Sequence, residues 1–282
     1  MSSLAQLINE LSKQSKTLRD IQASLSQIER LDKDRSSNVA ALQRQLEKVR
    51  RLVDNGASST GVLAEVRAWL TSYEQEVEEA RQEMKHRFGA ELDRLLRAEG
   101  IELRGQWPEL KAGLFTLEAD LGSGRVTIWY GPKQERLATA ALSPQDVLQR
   151  IQQLHKSLAA MPLDQPKFLK NLFEAYSRVL QRLNKSVGER VPILTVLVEL
   201  CFLLQDRRFF TDPRRENFKS YSRGQFSYDL FRLHQRRFLD RELALVIATR
   251  AYTAKRQDFL WIPSDEQGEG AVYSHLYFKE VS

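Results

Sequence analysis

The sequence is poor in the residues from which compact chemical sites are built. A single cysteine, Cys201, in a chain of 282 residues excludes a disulfide framework. It lies inside the apolar run 191–204, where a small buried core residue is expected rather than a nucleophile. Four histidines, His86, His155, His234 and His275, are scattered, without the close pairs that metal sites need. The glycines form no Gly-x-x-x-x-Gly-Lys-Ser/Thr phosphate loop. Gly122-Ser123-Gly124 and Gly268-Glu269-Gly270 lack the third glycine and following helix of a dinucleotide site. There is no nucleophile elbow and no internal repeat. These absences lead to the expectation of a non-enzymatic protein with no catalytic residue, metal or cofactor.

Long hydrophobic runs are missing too. The stretch 191–204 is too short to span a bilayer and carries Glu199. Residues 1–16 lack a basic start followed by an apolar block. The expectation is a soluble, cytoplasmic protein with no membrane partner. On that basis Asn184-Lys185-Ser186 is not a glycosylation acceptor.

What the chain does have is heptad-spaced aliphatic residues. Over 4–53 the a positions are Leu4, Leu11, Leu18, Leu25, Asp32, Val39, Leu46 and Val53. The d positions are Leu7, Gln14, Ile21, Ile28, Arg35, Leu42 and Val49. Twelve of these 15 are aliphatic in one register, the pattern of a coiled coil. One helix of that length would reach about 75 Å. Asp32 and Arg35 interrupt the seam and mark either a flexible joint or a polar register pin. Residues 54–61 read as a turn. A second run, Leu63, Val66, Leu70, Tyr73, Val77, Ala80 and Met84, shifts phase to Phe88, Leu92 and Leu95 before Gly100 ends the helix. Two such helices make an antiparallel hairpin, with a parallel homo-oligomeric coil as the alternative.

In the middle segment Phe115, Leu117, Ala119 and Leu121, then Val126, Ile128 and Tyr130, alternate with polar residues around a glycine turn. They predict a β-hairpin with one buried face. Ser143 and Pro144 predict a helix start, with the helix running to about Ala160. Glu118 and Asp120 share a strand face. They are read as solvated, with a metal-dependent nuclease as the least favoured function.

The formal charge of +6 is confined to one region. Residues 206–258 hold thirteen basic and seven acidic side chains, and the remainder of the chain is balanced. Such asymmetry points to an anionic partner. Ahead of it, 168–185 is amphipathic and 192–205 reads as a central buried helix. Ser222 can cap a helix starting near Gln225, which would show Gln225, Asp229, Arg232 and Arg236 on one side. That stripe could enter a major groove. Two strands, 259–263 and 272–278, around an acidic loop complete the chain.

The fold expected is mainly α with small β-hairpins: an N-terminal coiled-coil hairpin plus an α+β globular part, winged-helix-like at the C-terminus. The divisions are a coiled-coil arm over 1–104, a hairpin-plus-helix segment over 105–161, and a basic, aromatic-rich domain over 162–282. The expected function is a DNA-associated subunit of a larger assembly. Arg207, Arg208, Arg214, Arg215, Lys219, Arg223, Arg232, Arg236 and Arg237 would contact the nucleic-acid backbone. The coil would join the chain to itself or to another protein. The alternative is an adaptor for an acidic protein.

Overall fold

The computed structural model describes residues 3–55, 61–160 and 162–281, apart from the Arg256 side chain. It is a mixed helix-and-sheet structure with antiparallel sheets. The chain forms two compact units, Met1–Leu92 with Asp120–Arg125, and Asp93–Ala119 with Val126–Ser282.

The first unit is built from helices. The heptad pattern allows one helix over 4–53 with either a joint or a register pin at Asp32 and Arg35, and the chain makes two helices, α1 (Leu4–Asp32) and α2 (Arg35–Asp54). The break falls at the polar exceptions in the seam. Asp34 leaves the helical region, and its carboxylate accepts a hydrogen bond from the Ser37 amide, capping α2. Arg35 donates to Asp32 at 2.6 Å and to Glu76 at 2.9 Å, and its guanidinium lies 5.2 Å from the Tyr73 ring centre. Asp32 and Arg35 therefore fasten a turn onto the third helix, α3 (Val62–Ala98).

α2 runs antiparallel to α3. Arg67 reaches the Val53 carbonyl, Arg50 pairs with Glu74, and Gln43 meets Glu78. α1 doubles back so that Leu18, Ile21 and Leu25 face Val62, Val66 and Trp69 of α3 across a groove of about 720 Å³. The shared core joins Ile21 and Ile28, then Val39, Leu42, Leu46, Val49 and Val53, then Leu70, Tyr73 and Val77. Because α2 has 20 residues against 29 in α1, the first turns of α1 outrun it. Leu4, Leu7, Ile8 and Leu11 stay exposed, although Leu4, Leu7 and Leu11 hold heptad positions equivalent to those of the buried residues. The turn expected at 54–61 lies mostly outside the described residues. In α3 the shifted phase buries Leu96 rather than Leu95.

The second unit holds two five-stranded sheets. One is a meander of β1 (Leu103–Gln106), β2 (Glu109–Ala112), β3 (Phe115–Asp120), β4 (Arg125–Tyr130) and β5 (Glu135–Ala141). The expected hairpin is its β3–β4 pair. β3 is covered on both faces rather than one: Thr116 is buried and donates to the Gly131 carbonyl at 2.7 Å. Helix α4 (Pro144–Ala159) then starts as expected, with Ser143 capping and Pro144 in the first turn.

The other sheet has the order β6 (Val191–Pro192), β10 (Gly270–Glu280), β8 (Arg241–Ile247), β7 (Arg237–Phe238), with β9 (Leu260–Pro263) also paired to β10. The 259–263 and 272–278 strands are therefore part of a full sheet rather than a two-stranded wing. Helices α5 (Gln165–Arg182), α6 (Ile193–Leu203) and α8 (Arg223–Arg232) pack with it around Tyr176, Leu200, Phe226, Leu260 and Phe278. α6 is not buried all round, since Val198 and Phe202 are exposed.

The buried Trp261 of β9 ties these parts together. Its amide donates to Gln134 at 2.5 Å, and its carbonyl accepts from Gln134 at 3.3 Å and from Ser227 of α8 at 2.6 Å. Gly131, at φ +55°, lies so close to the indole that an added Cβ would stand 2.4 Å from it.

Leu42→Ala should cost about 2–5 kcal/mol, whereas Leu7→Ala, at an equivalent heptad position, should stay within about 0.5 kcal/mol. Urea unfolding followed by circular dichroism measures both, and equal losses would contradict the broken helix. Gln134→Leu should cost about 2–4 kcal/mol, because it strands the Trp261 amide in the interior.

Candidate functional site

The basic aromatic stretch after α6 forms a closed strap. Its base is set by Gln205, a buried side chain that bonds three ways. The Gln205 amide donates to the carbonyls of Cys201 at 2.6 Å and Lys219 at 2.9 Å, and accepts from the Lys219 amide at 2.8 Å. The intervening residues turn on local bonds. Asp206 caps α7 (Arg207–Thr211), Asn217 donates to the Asp212 carbonyl, and a 3-10 turn covers Arg215–Asn217. Pro213 fits this irregular path, because it cannot continue a helix. A surface loop with adjacent ends, organised by its own side chains, is an Ω-type loop.

The strap presents Arg207, Arg208, Arg214, Arg215 and Lys219 to solvent. Arg214 pairs with Asp212 at 3.0 Å but keeps a side chain that is 74% exposed. Among these cations stand three phenylalanines. Phe209 contacts Phe210 at 5.7 Å and Phe218 at 5.6 Å between ring centres. Phe210 is 64% exposed and Phe218 is 42% exposed.

The other four predicted contact residues divide. Arg236 and Arg237 are exposed, but they follow the end of α8 and lie on β7 and its approach. Arg223 donates to the Phe259 carbonyl at 2.6 Å, holding the start of α8 against the strand that follows. Arg232 donates to Asp229 at 2.6 Å and lies 4.7 Å from the Tyr228 ring centre.

The stripe expected to read a groove is therefore broken: α8 ends at Arg232, which leaves Arg236 off the helix, and the remaining members are drawn inward. Asp229 is only 4% exposed and gathers bonds from Tyr221 at 2.7 Å, Gln225 at 3.0 Å and Arg232. Gln225 also donates to the Leu158 carbonyl. A buried carboxylate needs such partners, and it draws the helix face inward. Burial, with the Asp229 charge as a lesser cause, pushes the Tyr221 phenol far above the usual tyrosine range, so it stays a proton donor. Cys201 is half-buried beside it, with Sγ 3.3 Å from the Tyr221 carbonyl, and burial raises its thiol pKa. A small pocket of about 220 Å³ between Phe168, Leu204, Tyr221 and Arg232 adjoins Lys219 at the base of the strap.

Glu118 and Asp120 do not converge on a vacant centre. Glu118 faces Glu109 across the β2–β3 ladder, and Lys133 answers both carboxylates at 2.8 Å. Lys133 reaches them from a left-handed turn at φ +56°, a partnership that strand spacing alone does not predict. The Trp129 indole also donates to Glu118, and the Lys133 bond, before all else, lowers the carboxyl pKa. Asp120 accepts from the Gly122 amide and the Ser123 hydroxyl, closing the next turn. Among the described residues no group of three or more His, Cys, Asp or Glu side chains could hold a metal ion. None of the described helices is long and apolar enough to cross a membrane.

Compared with protein-family models, curated proteins and solved structures, the chain matches none.

Arg232→Ala should destabilise the fold by about 2–4 kcal/mol, since it leaves a buried carboxylate short of a cation. Arg208→Ala, on the strap, should leave the melting temperature within about 1 °C of the parent. Scanning calorimetry of the two variants separates the inward arginines from the outward ones.

Proposed function

We propose that this chain is a non-enzymatic, nucleic-acid-associated subunit of a larger assembly, with the strap 206–219 contacting the phosphate backbone. The observation carrying this reading is a closed, exposed loop that holds four arginines, a lysine and a phenylalanine cluster at one place. Arginine forks suit phosphate oxygens, and an Ω-type loop on a packed scaffold presents them without reorganising the core. DNA is the first partner to test, and Arg236 and Arg237 are further candidate contacts. Arg223 and Arg232 act in this reading as structural cations.

The exposed leucines of α1 supply the assembly half of the proposal. Leu4, Leu7 and Leu11 continue a heptad seam past the point where the intramolecular bundle ends. A coiled-coil contact there, with a second copy or another subunit, would bury them. The winged-helix form of the proposal has less support. Its reading helix would be α8, whose polar stripe is engaged by Asp229. Its wing would be the loop before β10, where Glu269 already pairs with Arg104. An adaptor binding an acidic protein through the strap is the second reading, favoured by the same arginines but not by the exposed rings.

Fluorescence anisotropy of the full chain with labelled DNA across a salt series tests the proposal. The expected result is an affinity that falls steeply with salt. In a chain with Arg207, Arg208, Arg214 and Arg215 changed to alanine, the log–log slope should flatten by roughly one for each phosphate that is no longer neutralised. Absence of binding at low salt would overturn it.

A further inference from the structure

We propose that the strap binds single-stranded nucleic acid, with Phe210 and Phe218 stacking on unpaired bases while its cations hold the adjoining phosphates. This rests on the backbone-binding reading above and specifies the class of strand. Arginines alone would suit any polyanion, so the rings carry the inference. Within this short loop two phenylalanines are solvent-exposed, at 64% and 42%, against the general tendency of the residue. Neither belongs to the core that α5, α6 and α8 build with the sheet, and neither is among the residues packed against that core.

Phe209, partly buried, touches both of them edge-on, at interplanar angles of 76° and 62°. The exposed rings thus share one edge-on aromatic neighbour while keeping 64% and 42% of their surface open to solvent. A duplex hides the faces of its bases and offers such rings nothing. An unpaired strand offers both a π-face for every ring and a phosphate for every cation. The cations flank the rings in sequence on both sides: Arg207 and Arg208 precede Phe209, Arg214 and Arg215 precede Phe218, and Lys219 follows it. The Gln205 clasp keeps the two ring-bearing ends of the strap together.

Acidic protein surfaces can meet the arginines, but they do not account for rings spaced among them. Sequence-tolerant binding is expected, because the strap offers stacking and charge rather than a set of buried donors aimed at base edges.

The test uses the full chain and anisotropy at one fixed salt concentration. The probes are a 20-nucleotide dT strand, the matching rU strand and a 20-base-pair duplex. The expected result is tighter binding of one or both single strands than of the duplex; which of the two is preferred names the source. Phe210→Ala with Phe218→Ala should weaken single-strand binding by about five- to hundredfold per ring while leaving duplex binding unchanged. Should that variant melt early, Phe210→Trp decides, because indole fluorescence should be quenched by dT and not by duplex. Equal affinity for single strands and duplex, with no selective loss in the phenylalanine variant and no selective quenching of the tryptophan variant, would overturn the inference and leave backbone binding standing. Failure to bind any of the three probes would instead remove the underlying reading.

Discussion

The second unit depends on how the edge of one short strand is satisfied. β9 has four residues, and at Trp261 both backbone polar groups are served by a side chain instead of a neighbouring strand. An unserved amide there would be buried, because Leu260, Trp261, Ile262 and Pro263 are all inside. Gln134 is the one side-chain type, with asparagine, that can donate and accept at once in the way a strand does. It comes from the turn between β4 and β5, so satisfying Trp261 joins the meander to the other sheet. Ser227 adds α8 to the same carbonyl. The strap follows from this arrangement. Arg223 fixes the start of α8 to the residue before β9, and Gln205 fixes the end of α6 to the residues before α8. What remains between those anchors has no core to enter and becomes surface.

The same constraint divides the arginines. A cluster of basic residues in sequence looks uniform, yet each guanidinium goes where its neighbours let it. Asp229 is pulled under α8 by Tyr221 and Gln225, and Arg232 goes with it, because burying a carboxylate without a cation is far costlier than burying the pair. On the strap Asp206 and Glu216 are exposed and Asp212 is half-exposed, and a pair such as Arg214 with Asp212 constrains little in high dielectric. The cations there remain available to a partner in a way that Arg232 is not.

Helix periodicity made α3 and α5 legible, an apolar run marked α6, and Ser143 and Ser222 cap where expected. Three features escaped. The polar pair Asp32 and Arg35 leaves a joint and a register pin equally open, and only the backbone of Asp34 and the distant partners Tyr73 and Glu76 show that the helix turns there. β1 and β2 have only four residues each, too few to be read even though β2 alternates, and β5 is alanine-rich with little alternation. The α8 stripe satisfied helical spacing, but spacing cannot say which side faces in. That was decided by a buried aspartate whose partner, Tyr221, lies outside the helix. The candidate site was legible in composition but not in form: the basic residues and phenylalanines can be counted in the chain, whereas the clasp by Gln205 onto Lys219 is a tertiary fact.

A strap of five cations is a modest electrostatic site. Three acidic residues, Asp206, Asp212 and Glu216, share it, and at physiological salt the Debye length of about 8 Å leaves distant charges little influence. On the proposed function a single strap would therefore hold nucleic acid weakly and release it readily. The exposed leucines at the start of α1 bear on this point. If they join copies of the chain, two straps act on one strand, and the second binding event occurs at an effective concentration set by the tether rather than by the bulk solution. Weak, salt-sensitive interactions then add into avid binding without any change at the strap itself. The physical demands on the two units differ accordingly. The helical unit must leave part of an apolar seam uncovered, and the sheet unit must hold a small loop rigidly enough that its rings do not collapse onto the core.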